Sequence, residues 1–402
     1  MNIPVIIPYT NNREVEEIGK VVASGWVAQG SKVAEFERAV AVNEGVKNGI
    51  ATTSCTTALH LVMCALGIGS GQDVIVPSFT FVASANAVAH TGAKPRFVDV
   101  SNETYCIDPS VTRQYIEDNY CISDGKLVHK KDNSILTAMV IVHQFGLCAN
   151  MPELLDLATE FKLQIIEDSA CALGAKIGEM HQGAFGNPAC ISFHPRKSIT
   201  TGEGGMVLTN DNKLAERLRS LRSHGAAVSE ITRHSSNGFL LPSFDFVGFN
   251  YRMTDIQAAM GLAQMEKFEF IIETRRNKAA RYNELLSELD WLITPVEPEG
   301  YYHTYQSYVC MLNFKGLSST DGGKKRDLLL TLLAEKGIAT RQGTHACHTL
   351  ECYRKLYGIE FESIPKAYAC DRLSLTLPLY VQMTDAQQDY VIEQLKGAYK
   401  CL

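Results

Sequence analysis

The chain has 402 residues, 46% hydrophobic and 20% charged, with 38 Lys and Arg against 44 Asp and Glu, for a net charge of −6. That balance argues against a nucleic-acid surface, and no basic run offsets it; no apolar run reaches the roughly 20 residues of a membrane helix. The length exceeds one ordinary core and points to two units of unequal size. The 12 cysteines follow no basic segment with an apolar run behind it. A reduced, cytosolic protein is therefore expected, its cysteines serving as small buried hydrophobes.

In chain order, strand-like runs fall at Gly49–Thr53, Asp73–Pro77, Pro95–Val100, Thr137–His143, Gln164–Glu167, Cys190–His194 and Gly205–Thr209. Helical patterns at Thr56–Leu66, Ser84–Thr91 and Met151–Phe161 lie between the early ones. Val/Ile-rich strands alternating with helices predict an α/β fold: a mainly parallel, seven-stranded sheet with helices on both faces. Gly67-Ile-Gly69-Ser-Gly71 resembles a dinucleotide fingerprint. It follows a helix and precedes a strand, the reverse of what that motif needs, and reads as a helix stop. From Asp255 to Leu289 the pattern is one long helix. Beyond it come a strand near Tyr305–Leu312, a helix at Lys325–Lys336 and a last helix at Asp385–Tyr399, with a capping box from Thr384 to Gln387. We place the boundary near residue 262, giving a large unit at 1–262 and a smaller α+β unit at 263–402.

The densest chemical signal is Cys190–Thr209, CISFHPRKSITTGEGGMVLT. Lys197 stands there at a strand end before a loop of small residues. A lysine so held can be partly desolvated and act as an amine nucleophile; taken alone, a lysine reads by default as a solvated surface residue, and the context must overturn that. Ligands of open parallel sheets bind beyond the carboxyl ends of strands, and other candidates sit at such ends. Ser54-Cys55-Thr56-Thr57 opens a helix, as a plain N-cap or as a phosphate site. Asp168 directly follows the run at Gln164–Glu167, either capping a turn or facing a cation such as a protonated pyridine nitrogen. Phe81 is a core aromatic or a cover for a flat ring. Ser192 is a strand hydroxyl or a phosphate donor. Taken together they describe a pyridoxal 5′-phosphate site. The cluster His345, Cys347, His348 and Cys352 superficially suggests zinc, but no second cluster supplies the paired spacing. It is read as a loop whose histidines face a pocket, and no metal is expected.

With these residues in view, the chain resembles the DegT–StrS type of sugar aminotransferase, within the fold-type-I pyridoxal-phosphate enzymes. The resemblance rests on SGWVAQGSKVAEFE (Ser24–Glu37), PSFTFVASANAV (Pro77–Val88), EDSACALGA (Glu167–Ala175), SFHPRKSITTGEGGMV (Ser192–Val207), RSHG (Arg222–Gly225), GFNYRMTDIQAA (Gly248–Ala259) and LPLYVQMTD (Leu377–Asp385). It implies that 1–262 is the cofactor-binding unit, with Lys197 as Schiff-base lysine and proton shuttle and Asp168 on the pyridine nitrogen. Phe81 stacks on the ring, and Thr56, Thr57 and Ser192 hold the phosphate. Asn250 reaches the phosphate of the other subunit in a homodimer. Two positions depart from the pattern: Cys55 replaces a glycine before the phosphate helix, and Cys171 stands where Gln, His or Glu approaches the ring hydroxyl. Relatives with histidine in place of the lysine act as dehydratases, so Lys197 favours transamination.

The resemblance further implies a ping-pong reaction, with L-glutamate as donor and a nucleotide-linked keto-hexose as acceptor, in amino-sugar or cell-surface polysaccharide (lipopolysaccharide) synthesis. Arg341-Gln-Gly-Thr-His345 lacks the aromatic and proline-rich motif that often lines the acceptor pocket. An acidic keto-sugar such as 8-oxo-3-deoxy-octulosonate is the alternative acceptor, with Arg341 and His345 as candidate substrate contacts. Arg222, Arg252 and Arg372 are candidates for the glutamate carboxylates. A non-catalytic sensor built on the same fold is the competing class.

Overall fold

The computed structural model describes residues 1–226 and 243–402. Its main sheet is built from β1 (Asn48–Thr52), β2 (Gln72–Pro77), β3 (Lys94–Val98), β4 (Ile135–Val142), β5 (Gln164–Asp168), β6 (Ala189–Ser192) and β7 (Gly205–Thr209). In space the order is β1-β7-β6-β5-β4-β2-β3. Six strands share one direction, while β7 runs against them and pairs antiparallel with β1 and β6. The carboxyl ends of the six therefore share one edge, and the reversed β7 brings its first residue, Gly205, to that same edge. Val74, Ile75, Val76, Ala138, Met139, Val140 and Ile141 are fully buried, because helices cover both faces. The mainly parallel sheet is thus the expected one.

A hairpin, Tyr120–Ser123 with Lys126–His129, extends the sheet beside β4 to nine strands. Its turn is Asp124-Gly125, with φ of 49° and 73°, a two-residue signal for a hairpin that the strand pattern alone overlooks. The helices at Cys55–Ala65, Ala83–His90 and Met151–Phe161 fall within one residue of expectation. Gly67 and Gly71 both hold positive φ, as a helix stop and tight turn require.

The expected single helix over Asp255–Leu289 is instead two, Asp255–Met265 and Phe268–Leu286. The break turns Phe268 into the core, and the residues at the joint are held from outside: Glu266 pairs with Arg13 and Lys267 with Glu14. Asp255 caps another helix from a distance, accepting from the N–H groups of Gly30, Lys32 and Val33.

A second core surrounds a small antiparallel sheet of Leu292–Ile293, Tyr308–Leu312 and Ser374–Leu377. The helices Ser319–Glu335 and Asp385–Tyr399 pack on it through Leu329, Leu333, Val391 and Leu395. The first of these begins six residues earlier than its pattern suggests. Gly322 and Gly323 obscure its start; the side-chain ends of Leu373 and Arg372 lie 2.6 and 2.4 Å from where their Cβ atoms would be. Ile3 joins this core too, pairing with Ile338.

Candidate active site

The carboxyl edge of the sheet collects most of the residues singled out above. Beyond β6 the chain folds into a tight turn anchored on Phe193, whose carbonyl accepts from Thr201 N–H and from the Thr200 hydroxyl at 2.9 Å. That turn presents Lys197, half-buried, with its Nζ donating to the Cys171 thiol at 3.1 Å. Cys171 thus lies against the lysine amine itself.

Asp168 ends β5 and is only 5% exposed. Its Oδ2 accepts from the Ser84 hydroxyl at 2.7 Å and its Oδ1 from Ala170 N–H at 3.1 Å. Burial raises its pKa above the ordinary carboxylate value, against the pull of those two hydrogen bonds and of the Lys197 charge. A buried carboxyl in this condition is stabilised by a cationic N–H donor. Two supporting residues escaped the sequence reading. Ser84 ties the acid to the turn carrying Phe81, and the polar Ser84 within PSFTFVASANAV was the available signal. His143, fully buried, lies beside Asp168 at the end of β4, its backbone N–H bonded to the Asp168 carbonyl. Its Nδ1 accepts from Ala149 N–H at 3.0 Å, so its Nε2 carries the proton donated to Glu167.

Ser54 caps the helix Cys55–Ala65. Its hydroxyl accepts from Thr57 N–H, and the Thr57 hydroxyl accepts from Ser54 N–H at 3.0 Å. The Thr57 side chain is therefore engaged in the helix start, whereas the Thr56 hydroxyl makes no hydrogen bond among the described residues. Under this turn lies Gly205, paired with Thr52 on one side and Ser192 on the other. A Cβ on Gly205 would meet the Ser54 carbonyl carbon at 2.3 Å and Cys55 N at 2.5 Å. Glycine here lets the helix N-terminus press onto the strand beside Ser192. Cys55 fits the site where a glycine is often found: it is absent from the positive-φ residues, and its thiol turns inward to Cys190 O at 3.4 Å. Burial pushes that thiol's pKa well above the usual value, leaving it inert. Free N–H donors, an uncommitted hydroxyl, a buried acid and a half-buried amine at one sheet edge fit pyridoxal phosphate.

Phe81 is 57% exposed, unusual for a large aromatic beside a fully buried Phe79. It follows the short strand Phe79–Thr80, which pairs antiparallel with His345–Ala346 and so brings that segment to the edge. The His345 Nδ1 lies 2.8 Å from Gln342 Nε2. Arg341 is anchored through its backbone to Thr376. Its guanidinium has no hydrogen bond or ion pair among the described residues, and its Nε is buried. Burial and the neighbouring Arg196 both push its pKa down. His348 is buried between the Ser78 hydroxyl at 2.6 Å and Phe361 O at 2.8 Å, while Cys352 is exposed. The histidine-cysteine cluster is thus dispersed, and among the described residues no group of three His, Cys, Asp or Glu is placed to hold a metal. Asn250 is exposed, its backbone bridged to Ser223. Of the three donor-carboxylate candidates, Arg222 is buried on Glu37 and Ala51 O, Arg372 sits by Asp327, and Arg252 donates to Ser223.

A reversed strand in a parallel sheet, with lysine, acid and helix N-terminus at its carboxyl edge, defines a fold-type-I pyridoxal-phosphate enzyme. Comparison with known proteins agrees. The chain is 31% identical to the spore coat polysaccharide biosynthesis protein SpsC of Bacillus subtilis, over 99% of this chain and 97% of that one. It is 35% identical to a GDP-perosamine synthase of Caulobacter vibrioides, over 98% and 97%. It superposes on the PMP form of the putative sugar aminotransferase Spr1654 from Streptococcus pneumoniae with a TM-score of 0.87 and 25% identity, covering 100% of both chains. Residues 8–396 match the DegT/DnrJ/EryC1/StrS aminotransferase family. The chain belongs to that family and is a pyridoxal-phosphate-dependent sugar aminotransferase. No helix among the described residues is long and apolar enough to cross a membrane.

Proposed function

We propose that the enzyme moves an amino group from L-glutamate to a nucleotide-linked keto-hexose, in amino-sugar synthesis for a cell-surface polysaccharide. The observation that carries this reading is the convergence of Lys197, Asp168 and the Ser54–Thr57 turn at one sheet edge. The cofactor, when bound, supplies an electron sink for the negative charge that develops at the donor α-carbon. Asp168, held by Ser84 and Ala170, keeps a proton on the ring nitrogen. The Lys197 amine would move the proton at the donor α-carbon. The Thr56 hydroxyl, the N–H groups of the helix start and Ser192 hold the phosphate, with Thr57 fixing the turn. Phe81 would cover the ring, and Cys171, which touches the Lys197 amine, would stand near the ring hydroxyl.

Asn250 is exposed on the single chain, beside Phe246 and Val247, the latter 95% exposed. This supports a homodimer in which Asn250 completes the partner subunit's site. The GDP-perosamine synthase relative supports the nucleotide-linked acceptor. The unpaired Arg341 guanidinium favours a second reading, an acidic keto-sugar acceptor, with His345 beside it. Incubation of the holoenzyme with L-glutamate and a panel of keto-sugars, with mass detection of aminated product, separates the two. Amination of neither class contradicts the proposal.

A further inference from the structure

The peptide that joins Arg196 to Lys197 is bonded at both of its polar ends. Its N–H, that of Lys197, donates to His194 O at 2.8 Å within the turn. Its carbonyl, that of Arg196, accepts from Gln306 Nε2, a side chain from far along the chain. A planar peptide held at both ends resists rotation, so the direction in which the next Cα carries its side chain is set. Gln306 is 3% exposed, and the other end of its amide is engaged too, Oε1 accepting from the Ser307 hydroxyl at 3.0 Å.

The backbone behind Gln306 is fixed several times over. Arg275, on the buried face of the helix Phe268–Leu286, donates to Tyr305 O at 3.0 and 2.9 Å and to Gln306 O. Burial lowers its pKa from 12.5 to about 10, and among the described residues it meets carbonyls in place of a carboxylate. Tyr305 holds φ of 45°, a left-handed conformation that is an outlier for a bulky residue, and its N–H donates to His303 Nδ1 at 2.9 Å. A second such turn faces it just past β4, with Phe145 at φ 54° and Gly146 at 110°. Gly146 O accepts from Thr304 N–H at 2.9 Å, and Phe145 O from Ser307 N–H at 3.2 Å. A Cβ on Gly146 would lie 2.8 Å from Tyr305 N, so glycine lets the two turns interlock. Strained backbone persists only where its surroundings over-determine it, and it collects at functional sites. Here a buried cation and two strained turns support one side-chain amide, and that amide ends on the lysine's own peptide.

We infer that Gln306 is a positioning residue for Lys197, its side-chain amide fixing the Arg196–Lys197 peptide and so aiming the amine. It acts through the Arg196 carbonyl, and the inference rests on Lys197 being the reacting amine.

The test replaces the donor in the holoenzyme. Gln306→Met keeps the length of the side chain and removes its N–H groups; Gln306→Glu keeps the shape and exchanges donor for acceptor. Ser307→Ala is the control, since it strips the same amide of its other bond and leaves the hold on Arg196. In the L-glutamate half-reaction read by cofactor absorbance, both Gln306 variants should lose roughly tenfold or more in rate at saturating donor, the scale of a misplaced reacting group, with KM near that of the parent. Hydrogen exchange by mass spectrometry should quicken at the Lys197 amide in both, with the peptide Tyr308–Leu312 at the parent's rate. Ser307→Ala should match the parent in both readouts. Either Gln306 variant, folded, with the parent's rate or the parent's exchange at Lys197 overturns the inference, as does an equal loss in Ser307→Ala. Attachment of the cofactor to another lysine of the parent, read by borohydride reduction and peptide mass, would instead overturn the reading of Lys197, whatever Gln306 does.

Discussion

The sheet edge around Lys197 and the segment Arg341–His348 differ in how their polar groups are used. At the sheet edge, neighbouring strand ends deliver Lys197, Asp168, Ser192 and the Ser54 turn, and several groups are left facing outward without a strong partner. In Arg341–His348 the polar groups mostly serve the fold. His348 is held between Ser78 and Phe361, and the Cys347 thiol bonds Thr80 O. Among the described residues, Arg341 alone stands uncompensated there. The contrast shows where to look for chemistry: groups that folding leaves unsatisfied, rather than reactive residue types crowded in sequence.

The largest expected effect breaks the first region directly. Lys197→Ala should lower kcat by roughly 10²–10⁴-fold or more, the worth of a positioned proton carrier, while circular dichroism stays that of the parent. Next is Gly205→Ala. The added Cβ would press on backbone atoms of Ser54 and Cys55, so a loss of about 1–3 kcal/mol in stability is expected, with weaker cofactor retention on dialysis. A surface glycine such as Gly19, with nothing near its Cβ position, should accept alanine without either effect.

A third prediction concerns Asp168 in protein freed of cofactor. Its folded pKa is raised above 3.8, so between those values the folded state binds more protons than the unfolded, and stability falls as pH rises. Asp168→Asn removes that dependence. The variant should be the more stable of the two at neutral pH and lose its advantage on acidification, in chemical denaturation followed across pH, even as its turnover collapses. The smallest effect belongs to the second region's surroundings. His303, buried and stacked 3.9 Å from the Tyr305 ring, has its pKa lowered from 6.5 to about 3 by burial. Its neutral form contributes stability that is complete above 6.5 and is lost as pH falls toward 3. His303→Gln should therefore flatten the acid limb of stability while leaving the neutral plateau nearly level.

Much of the first region was legible because its strands are buried on both faces and read as unbroken Val/Ile runs. Lys197, Asp168 and the Ser54 turn lie where those runs stop. What stayed hidden depended on partners far along the chain. Ser84 meets Asp168 across 84 residues, and His345 meets Thr80 only through the pairing of two short strands. The break at Glu266-Lys267 was invisible because the residues that hold it, Arg13 and Glu14, lie at the other end of the sequence.

The central claim is that Lys197 is the covalent anchor of the cofactor. Borohydride reduction of the holoenzyme, followed by peptide mass spectrometry, tests it most directly. The account predicts a pyridoxyl group on the peptide containing Lys197 and no label in the Lys197→Ala protein. A label on another lysine of the parent, or none at all, would contradict it.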